Sequence, residues 1–287
     1  LSFSNFNKYI KYSKFKIDYK HIDKSLNNYY DYFIVGSDQV WNTNFKRFSN
    51  INLLSFVDDR KRISFSASFG INKLPEEYCD LFKKELLKFR KISVREESGK
   101  KIVEEITGRK DVEVLVDPTM LLTSEEWDKV SKRPKQLDNI KENKYILNYF
   151  LGTLSEKRKK EIDRIAKENN CYIINILDKN DPFYQTGPSE FLYLEKNAFL
   201  VCTDSFHSSV FAILYNTPFI VFDREDNKEN MSSRIDTLLS KFKLEDRRFN
   251  GKINDELLNH DYTEAYQILE KERKKSENFF KKALDIK

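Results

Sequence analysis

"VCTDSFHSSVFAILYNTPFIVF", residues 201–222, carries the clearest structural pattern of the 287-residue chain. The apolar run "AFLVC", 198–202, predicts a buried strand, and "FIVF", 219–222, predicts a second one. Between them, the residues from Ser205 to Ser209 predict a turn into a helix, and Asn216 followed by Pro218 predicts the end of that helix. A strand, a helix and another buried strand in this order are typical of a parallel α/β sheet.

The same alternation continues through most of the chain. Short runs rich in β-branched and aromatic residues predict eight strands. They lie at 31–35, 62–69, 91–94, 112–116, 144–150, 171–177, 198–202 and 219–222. Charged segments with apolar residues three and four positions apart predict helices between strands, as at 76–89 and 155–169. The sequence therefore predicts an α/β fold with two Rossmann-like domains.

A polar segment that contains Pro134, residues 131–144, indicates the boundary between these domains. We expect an N-terminal domain at 1–135 and a C-terminal domain at 140–260. The stretch 261–287 predicts one long helix with an apolar side. We expect this helix to pack back toward the N-terminal half.

Composition narrows the classes of function. The 51 Lys and Arg against 46 Asp and Glu give a net charge of +5, and basic residues are interleaved with acidic ones, which argues against nucleic-acid binding. The three separated cysteines indicate neither a disulfide framework nor a zinc site. With no long apolar run and no signal peptide, we expect a cytoplasmic protein, for which peripheral contact with the inner face of the membrane stays open. Neither GxGxxG nor GxxxxGK[ST] occurs.

The turn at 205–209 is suited to an anion. Ligands of open α/β sheets bind where strands end, and a helix that begins there offers unpaired N–H groups and a positive dipole end. Ser208 and Ser209 add hydroxyl donors, and His207 can move a proton near neutral pH. The alternative is that Ser205 or Ser208 only caps the helix and that His207 is a buried, hydrogen-bonded residue. Asp204 leaves the preceding strand at the same point.

Polar residues also follow the N-terminal strands. "FIVGSDQVWN", 33–42, places Gly36 and Asp38 after a strand, followed by Gln39, Trp41 and Asn42. These residues should lie on the ligand side of their sheet. The ring of Trp41 could stack on a sugar or simply pack in the core, and the sequence favours packing.

Three later strands end in polar residues as well. Ser68 lies at the end of the second predicted strand and Gly70 directly follows it, and both could be turn residues only. Arg95 follows the third, where its guanidinium could hold phosphate or carboxylate, or form an ion pair with a glutamate of the next helix. Asp117, which precedes Pro118, favours a structural role in a turn or helix cap.

Five segments in order resemble the polysaccharide pyruvyl transferase family. They are "FIVGSDQVWN", "SFSASFG", "ISVREESGKKI", "VLVDPTMLL" and "VCTDSFHSSVFAILYNTPFIVF". The resemblance implies a two-domain fold similar to GT-B glycosyltransferases with the active site between the domains. It also implies phosphoenolpyruvate as donor, whose pyruvyl group forms a ketal with two hydroxyls of a sugar in a bacterial surface polysaccharide or its lipid-linked precursor. No metal and no resident cofactor are expected.

Within this resemblance, His207 matches the family's histidine at the donor site and Arg95 matches its arginine after a strand. Some relatives carry an arginine two residues before the histidine, where this chain has Ser205, so Arg62 or Arg224 could supply the charge. Relatives usually begin with a further strand, loop and helix. We therefore expect an N-terminal domain without its first strand and helix.

Fourteen residues have predicted catalytic, binding or structural roles. We expect His207 and Asp38 to be catalytic. The predicted donor-binding residues are Arg95, Ser205, Ser208 and Ser209, the predicted acceptor-binding residues are Gln39, Trp41 and Asn42, and the predicted structural residues near the site are Gly36, Ser68, Gly70, Asp117 and Asp204. Two alternatives remain, a nucleotide-sugar glycosyltransferase of the GT-B type and a noncatalytic glycan-binding or assembly protein.

Overall fold

The computed structural model describes residues 4, 6–15, 17, 22, 24–225, 233–259 and 261–286. They belong to two compact units. What we call the first unit comprises Ser13–Leu121, Lys228–Lys241 and Gln267–Lys287, and the second unit comprises Leu1–Tyr12, Leu122–Asn227 and Phe242–Tyr266. The domain limits set out from the sequence stay predictions, as does the GT-B arrangement.

The first unit contains a four-stranded parallel sheet. Its strands are β1 (Phe33–Val35), β2 (Arg62–Ala67), β3 (Lys91–Val94) and β4 (Glu113–Val114), in the order β1-β2-β3-β4. Helix α1 (Glu76–Leu86) connects β2 to β3, and α2 (Glu97–Thr107) connects β3 to β4. All six residues of β2 are buried, as expected of an inner strand covered on both faces.

An aromatic cluster fills one side of this sheet. Trp41 packs edge-on against Phe69, Phe82 and Phe89, with ring centroids 5.2 to 6.5 Å apart. All four side chains are almost fully buried. Phe82 comes from the apolar face of α1, which explains why the three- and four-residue spacing of that segment produces a helix packed on the sheet.

The second unit contains the other parallel sheet. After the short helix α3 (Ser124–Asp128), its strands are β5 (Lys144–Tyr149), β6 (Cys171–Asn175), β7 (Leu200–Thr203) and β8 (Phe219–Val221). The order is β6-β5-β7-β8, so the chain first adds a strand on one side of β5 and then continues on the other side. The connecting helices are α4 (Glu156–Glu168), α5 (Pro188–Asn197) and α6 (Phe206–Tyr215). Ligands of such sheets bind where the order reverses, at the carboxyl ends of β5 and β7.

Helix α6 and its flanks confirm the pattern read from residues 201–222. The helix begins at Phe206, slightly earlier than predicted, because Ser205 adopts the extended conformation of an N-cap and its hydroxyl accepts the N–H of Ser208. It ends at Asn216, whose φ of 57° is the left-handed conformation that terminates helices. The α/β class and the two parallel sheets are thus confirmed.

Three helices complete the described residues: α7 (Ser233–Phe242), α8 (Asp255–Leu258) and α9 (Thr263–Leu284). Phe279 and Ala283 of α9 join Ile63, Phe65 and Leu115 in a buried cluster of the first unit. The described part of the chain also contains short 3-10 helices, at Asn7–Tyr9, Lys24–Asn28, Asn50–Leu53, Pro118–Leu121, Lys135–Asn139, Pro182–Gln185 and Glu245–Arg247. Among the helices of these residues, none has the length and apolar character that crossing a bilayer requires.

Candidate functional site

Charged residues meet at the carboxyl edge of the first sheet. Nη1 of Arg95, just after β3, lies 2.8 Å from Oδ2 of Asp117, just after β4. Its Nη2 lies 3.6 Å from Oδ1 of Asp38, which follows β1. The Arg95 side chain is 1% exposed, whereas that of Asp38 is 52% exposed. The guanidinium is therefore a buried support, and Asp38 is the member of this group that solvent or a ligand can reach.

Asp117 links three segments. Besides Arg95, its Oδ2 accepts the hydroxyl of Ser37 at 2.8 Å, and its Oδ1 accepts both the N–H and the hydroxyl of Thr119. These bonds join the ends of β1 and β3 to the turn after β4. The bonds support the structural role expected of Asp117, which stays a prediction.

Glu96 organises the loop after β2, which the sequence analysis did not foresee. Its Oε1 accepts hydrogen bonds from the hydroxyl of Ser68 at 3.0 Å, the N–H of Phe69 at 2.8 Å and the N–H of Gly70 at 3.1 Å. Glu96 is fully buried. From the sequence, Glu96 is expected only as an ion-pair partner of Arg95. Its position in the chain gives no sign of bonds to a loop 26 to 28 residues earlier.

A cavity of about 310 Å³ opens beside Asp38. Gln39 and Asn42, two of the predicted acceptor residues, also line it, and the Asn42 amide donates to Oε1 of Gln39 at 2.7 Å. The other lining residues carry no signal in the sequence. They are Val40, Phe45, Arg47, Phe48 and Asn52. We call this space the Asp38 cavity.

Trp41, the third predicted acceptor residue, lies in the core. It is 0% exposed, and its indole N–H donates to the carbonyl of Asn52 at 2.9 Å. A ring packed on all sides has no face for a sugar, so the acceptor-binding role expected of Trp41 does not fit this structure. Its pattern in the sequence, an aromatic residue after a polar turn, favours packing over stacking on a sugar.

Gly36 and Gly70 allow two close approaches in the first unit. Gly36 has a φ of +138°, and a Cβ there would lie 2.0 Å from the carbonyl oxygen of Phe65 in β2. Gly70 has a φ of +63°, and its Cβ would lie 2.1 Å from Oε1 of Gln39. Both conformations favour glycine. Gly70 therefore leaves the room that the Gln39 side chain needs.

Asp204 holds the carboxyl edge of the second sheet together. Its Oδ1 accepts the N–H of Leu151 at 2.7 Å, and its Oδ2 accepts the N–H of Gly152 at 2.8 Å. Nε of Arg224, which follows β8, lies 3.2 Å from the same carboxylate. The loop after β5 is thus fixed to the end of β7 at the place where the strand order reverses. Arg224 brings a positive charge to this edge, whereas Arg62 is buried in an ion pair with Glu85 of the first unit.

His207 occupies the first turn of α6 and is half-buried. Its ring meets the ring of Phe206 edge-on, with centroids 5.4 Å apart. The helix begins at the carboxyl end of β7, so the positive end of its dipole lies on the ligand side of the sheet, as predicted.

The serines around His207 are engaged inside the protein. Ser205 caps α6, Ser209 donates its hydroxyl to the carbonyl of Ser205 at 3.0 Å, and Ser208 donates its hydroxyl to Oε1 of Glu195 at 2.6 Å. All three serines are buried. The capping alternative describes Ser205 correctly. The donor-binding role expected of the Ser208 and Ser209 hydroxyls does not fit these bonds, because a bound donor would have to displace them.

Glu195 is a buried acid next to the His207 turn. Burial raises its pKa to about 8, against the lowering effect of the hydrogen bond from Ser208. The sequence offered no signal for this residue, since a glutamate followed by a lysine near the end of a helix is usually solvated.

The structure defines a protein of the Rossmann-like α/β class, with ionisable groups at the carboxyl edges of two parallel sheets. The family model of polysaccharide pyruvyl transferase matches residues 2–227, and the chain belongs to this family. It is accordingly a transferase enzyme of polysaccharide biosynthesis, and the family implies a sugar or polysaccharide acceptor. A search of curated proteins finds no significant match.

Proposed function

We propose that the enzyme transfers the pyruvyl group of phosphoenolpyruvate to two hydroxyls of one sugar residue and forms a ketal. The observation that carries this proposal is the family match over residues 2–227, which spans His207, Arg95 and Asp38. The acceptor sugar belongs to a surface polysaccharide or its lipid-linked precursor. The reaction takes place in the cytoplasm, and a lipid-linked acceptor would bring the enzyme to the inner face of the membrane.

The start of α6 suits the donor. Phosphoenolpyruvate carries a phosphate and a carboxylate, and the first turn of a ten-residue helix offers N–H groups and a positive dipole end to such anions. His207 lies in that turn, and Arg224 is fixed at the same sheet edge through Asp204. The backbone of α6, rather than the hydroxyls of Ser208 and Ser209, is the donor-binding element that we propose.

Arg95 has two roles in this proposal, one toward the donor and one toward Asp38. Direct contact with the donor anion is the role carried over from the family, and it would require the guanidinium to turn away from Asp38, 3.6 Å distant. While it faces Asp38, the Arg95 guanidinium orients that carboxylate.

Asp38 is the proposed base toward the acceptor. Its carboxylate is half exposed and lines the Asp38 cavity together with Gln39 and Asn42. Carboxylates and amides are suitable partners for sugar hydroxyls, because they accept O–H groups and the amides also donate.

The chemistry balances without a metal or a resident cofactor. Protonated His207 gives a proton to the methylene carbon of the donor, which becomes a methyl group while the neighbouring carbon becomes an oxocarbenium-like centre. One sugar oxygen bonds to that carbon and Asp38 accepts its proton. The carbon–oxygen bond to phosphate then breaks, and the second sugar oxygen takes its place. The two sugar hydroxyls release two protons. One makes up for the proton that His207 gave to the methyl group, and the other leaves with phosphate.

The deciding experiment uses the source cell's own polysaccharide after mild acid has removed its ketals. With phosphoenolpyruvate, the wild-type enzyme should release phosphate and add one pyruvate ketal per repeat, which mass spectrometry detects. His207→Ala and Asp38→Asn should each lower turnover by about 10²-fold or more while unfolding at wild-type temperature. Near-normal turnover of either variant would remove its assigned role.

Donor identity can be tested separately. Phosphoenolpyruvate should raise the thermal midpoint of the wild-type protein, and nucleotide sugars should not. The reverse result would favour the glycosyltransferase alternative.

A further inference from the structure

Two asparagines face each other on β5 and β6, neighbouring strands of the second sheet. Asn148 of β5 pairs in register with Asn175 of β6, and its Nδ2 donates to Oδ1 of Asn175 at 2.9 Å. They follow Ile146 and Ile173, which lie two residues earlier on the same face of their strands and belong to an apolar cluster. Two amides thus interrupt an apolar surface at the carboxyl end of both strands.

This amide pair leaves one polar atom unsatisfied. Asn148 is 7% exposed, and its Oδ1 is buried without a hydrogen-bond partner among the described residues. If both amides of the pair were turned by 180°, the NH₂ group of Asn148 would be the unsatisfied one, so one unsatisfied group remains in either assignment. Leaving such a group unpaired is unfavourable, because it has lost its hydrogen bonds to water without replacing them. A ligand that pairs with it would recover part of this cost.

A cavity of about 480 Å³ adjoins the pair, and we call it the β5–β6 cavity. Its volume falls within the range of about 300–1,000 Å³ found for small-molecule sites and is far larger than the roughly 30 Å³ of one water. Phe150, Leu154 and Leu177 form part of its apolar wall. Lys159, Asp163 and Asp178 provide its charged groups.

The lining favours a neutral ligand rich in hydroxyl groups. The amide oxygen and the two carboxylates are acceptors, so they require O–H or N–H donors on the ligand. Two carboxylates against one ammonium disfavour an anion, and Lys159 already pairs with Glu156 at 2.8 Å. The apolar wall suits the C–H face of a sugar ring. None of these residues belongs to the proposed donor or acceptor groups.

We propose that the β5–β6 cavity binds one sugar residue. A polysaccharide carries many residues besides the one that reacts, so a second sugar site could hold the acceptor chain. Binding itself does not depend on the proposed pyruvyl transfer. It requires only that a sugar hydroxyl reach the Asn148 amide.

The test is a titration of the ¹⁵N-labelled full chain with D-glucose, D-galactose and D-mannose, observed at side-chain amide signals. At least one sugar should shift the Asn148 and Asn175 signals in a saturable way, with a Kd of about 1 mM or weaker for a single ring. Asn148→Ala should weaken this binding at least tenfold, and so should Asn175→Ala if the first variant does not fold. Asn259→Ala, which removes an exposed amide of the same unit, should bind like wild type.

Other results would overturn the proposal. These are the absence of a saturable shift with all three sugars, equal binding by the folded Asn148→Ala variant, or displacement of the signals by inorganic phosphate in place of sugar. His207→Ala should keep the sugar shifts even though it loses turnover. Failure of the transferase mechanism and failure of this sugar site therefore give different results.

Discussion

The hydroxyl of Ser208 donates to Oε1 of Glu195 at 2.6 Å, and both side chains are 0% exposed. This bond ties α5 to the first turn of α6 immediately after His207. A buried acid thus supports the position of the proposed catalytic imidazole from within the protein. Burial raises the pKa of Tyr149 and of Tyr215. The charge on Glu195 adds to the shift of Tyr149, and the charges on Asp128 and Glu195 add to that of Tyr215.

Glu195→Gln should make the stability of the protein less dependent on pH. The folded-state pKa of Glu195 is raised to about 8 from a reference of 4.5, so between these values the folded protein holds a proton that the unfolded chain releases. Stability should therefore fall as pH rises through this window and level off above it. Over pH 5.5 to 8.5 we expect a loss of about 2–3 kcal/mol in wild type that Glu195→Gln lacks, measured by urea unfolding.

Glu195→Ala is the comparison for this prediction. It removes the acceptor of the Ser208 hydroxyl and should cost stability at every pH, whereas glutamine keeps a carbonyl oxygen in that place. A wild-type stability that rises from pH 5.5 to 8.5 would contradict the assigned protonation of Glu195.

Gly36→Ala should be strongly destabilising, by about 3 kcal/mol or more, because the new Cβ would meet the backbone carbonyl of Phe65 at 2.0 Å. Gly108 provides a matched control. It has a φ of +75° but nothing within 4 Å of a Cβ, so Gly108→Ala should cost only the left-handed conformation, about 1–2 kcal/mol. Equal thermal shifts for the two variants would show that the contact between the end of β1 and β2 is not as close as the structure has it.

Gly70→Ala should act on the acceptor more than on stability. Its Cβ would meet the flexible end of Gln39 at 2.1 Å, and this side chain can move away into the Asp38 cavity. We expect a stability loss near that of Gly108→Ala but a KM for acceptor raised about tenfold, with the KM for phosphoenolpyruvate unchanged. If both KM values stay at the wild-type level, Gln39 has no part in acceptor binding.

Local patterns explain why the eight strands could be predicted. Each strand consists of a short β-branched or aromatic run that ends in polar residues, and these features act over only a few neighbouring positions. The helix from Phe206 to Tyr215 could be predicted for the same reason, since Ser205 and Asn216 are ordinary cap residues.

The contacts that define the sites could not be predicted in this way. Asp117 meets Arg95 across 22 positions of the chain, and Glu195 meets Ser208 across 13. Such partners meet only if each side chain lies on the correct face of its strand or helix. The periodicity of a single sequence does not specify which residues pair across the fold. Trp41, Ser208 and Ser209 do lie near strand ends, as predicted. Their predicted binding roles do not fit the structure, because their side chains bond to other groups inside the protein.

The buried ion pair between Arg62 and Glu85 gives a final prediction in the first unit. Nη1 of Arg62 lies 2.6 Å from Oε2 of Glu85, and the side chains are 4% and 7% exposed. Burial raises the pKa of Glu85, but the hydrogen bonds from Arg62 and Lys88 outweigh it and leave the pKa below its usual value. Arg62→Ala should therefore cost about 3–5 kcal/mol, because it leaves a buried carboxylate without its main partner.

The exposed pair of Arg133 and Asp138 is the control, and Arg133→Ala should lower the free energy of unfolding by less than about 1 kcal/mol.

The depressed pKa of Glu85 also sets the direction of the pH dependence. The stability that Glu85 contributes is present above the pKa of the unfolded state, and it is lost as the pH falls through the pKa of the folded state. Wild type should lose stability on acidification more steeply than the double variant Arg62→Met/Glu85→Leu. Since a packed apolar pair often replaces a buried ion pair at little cost, this double variant should be more stable at neutral pH than Arg62→Ala alone. An Arg62→Ala variant as stable as Arg133→Ala in urea unfolding would show that the buried pair does not hold β2 to α1.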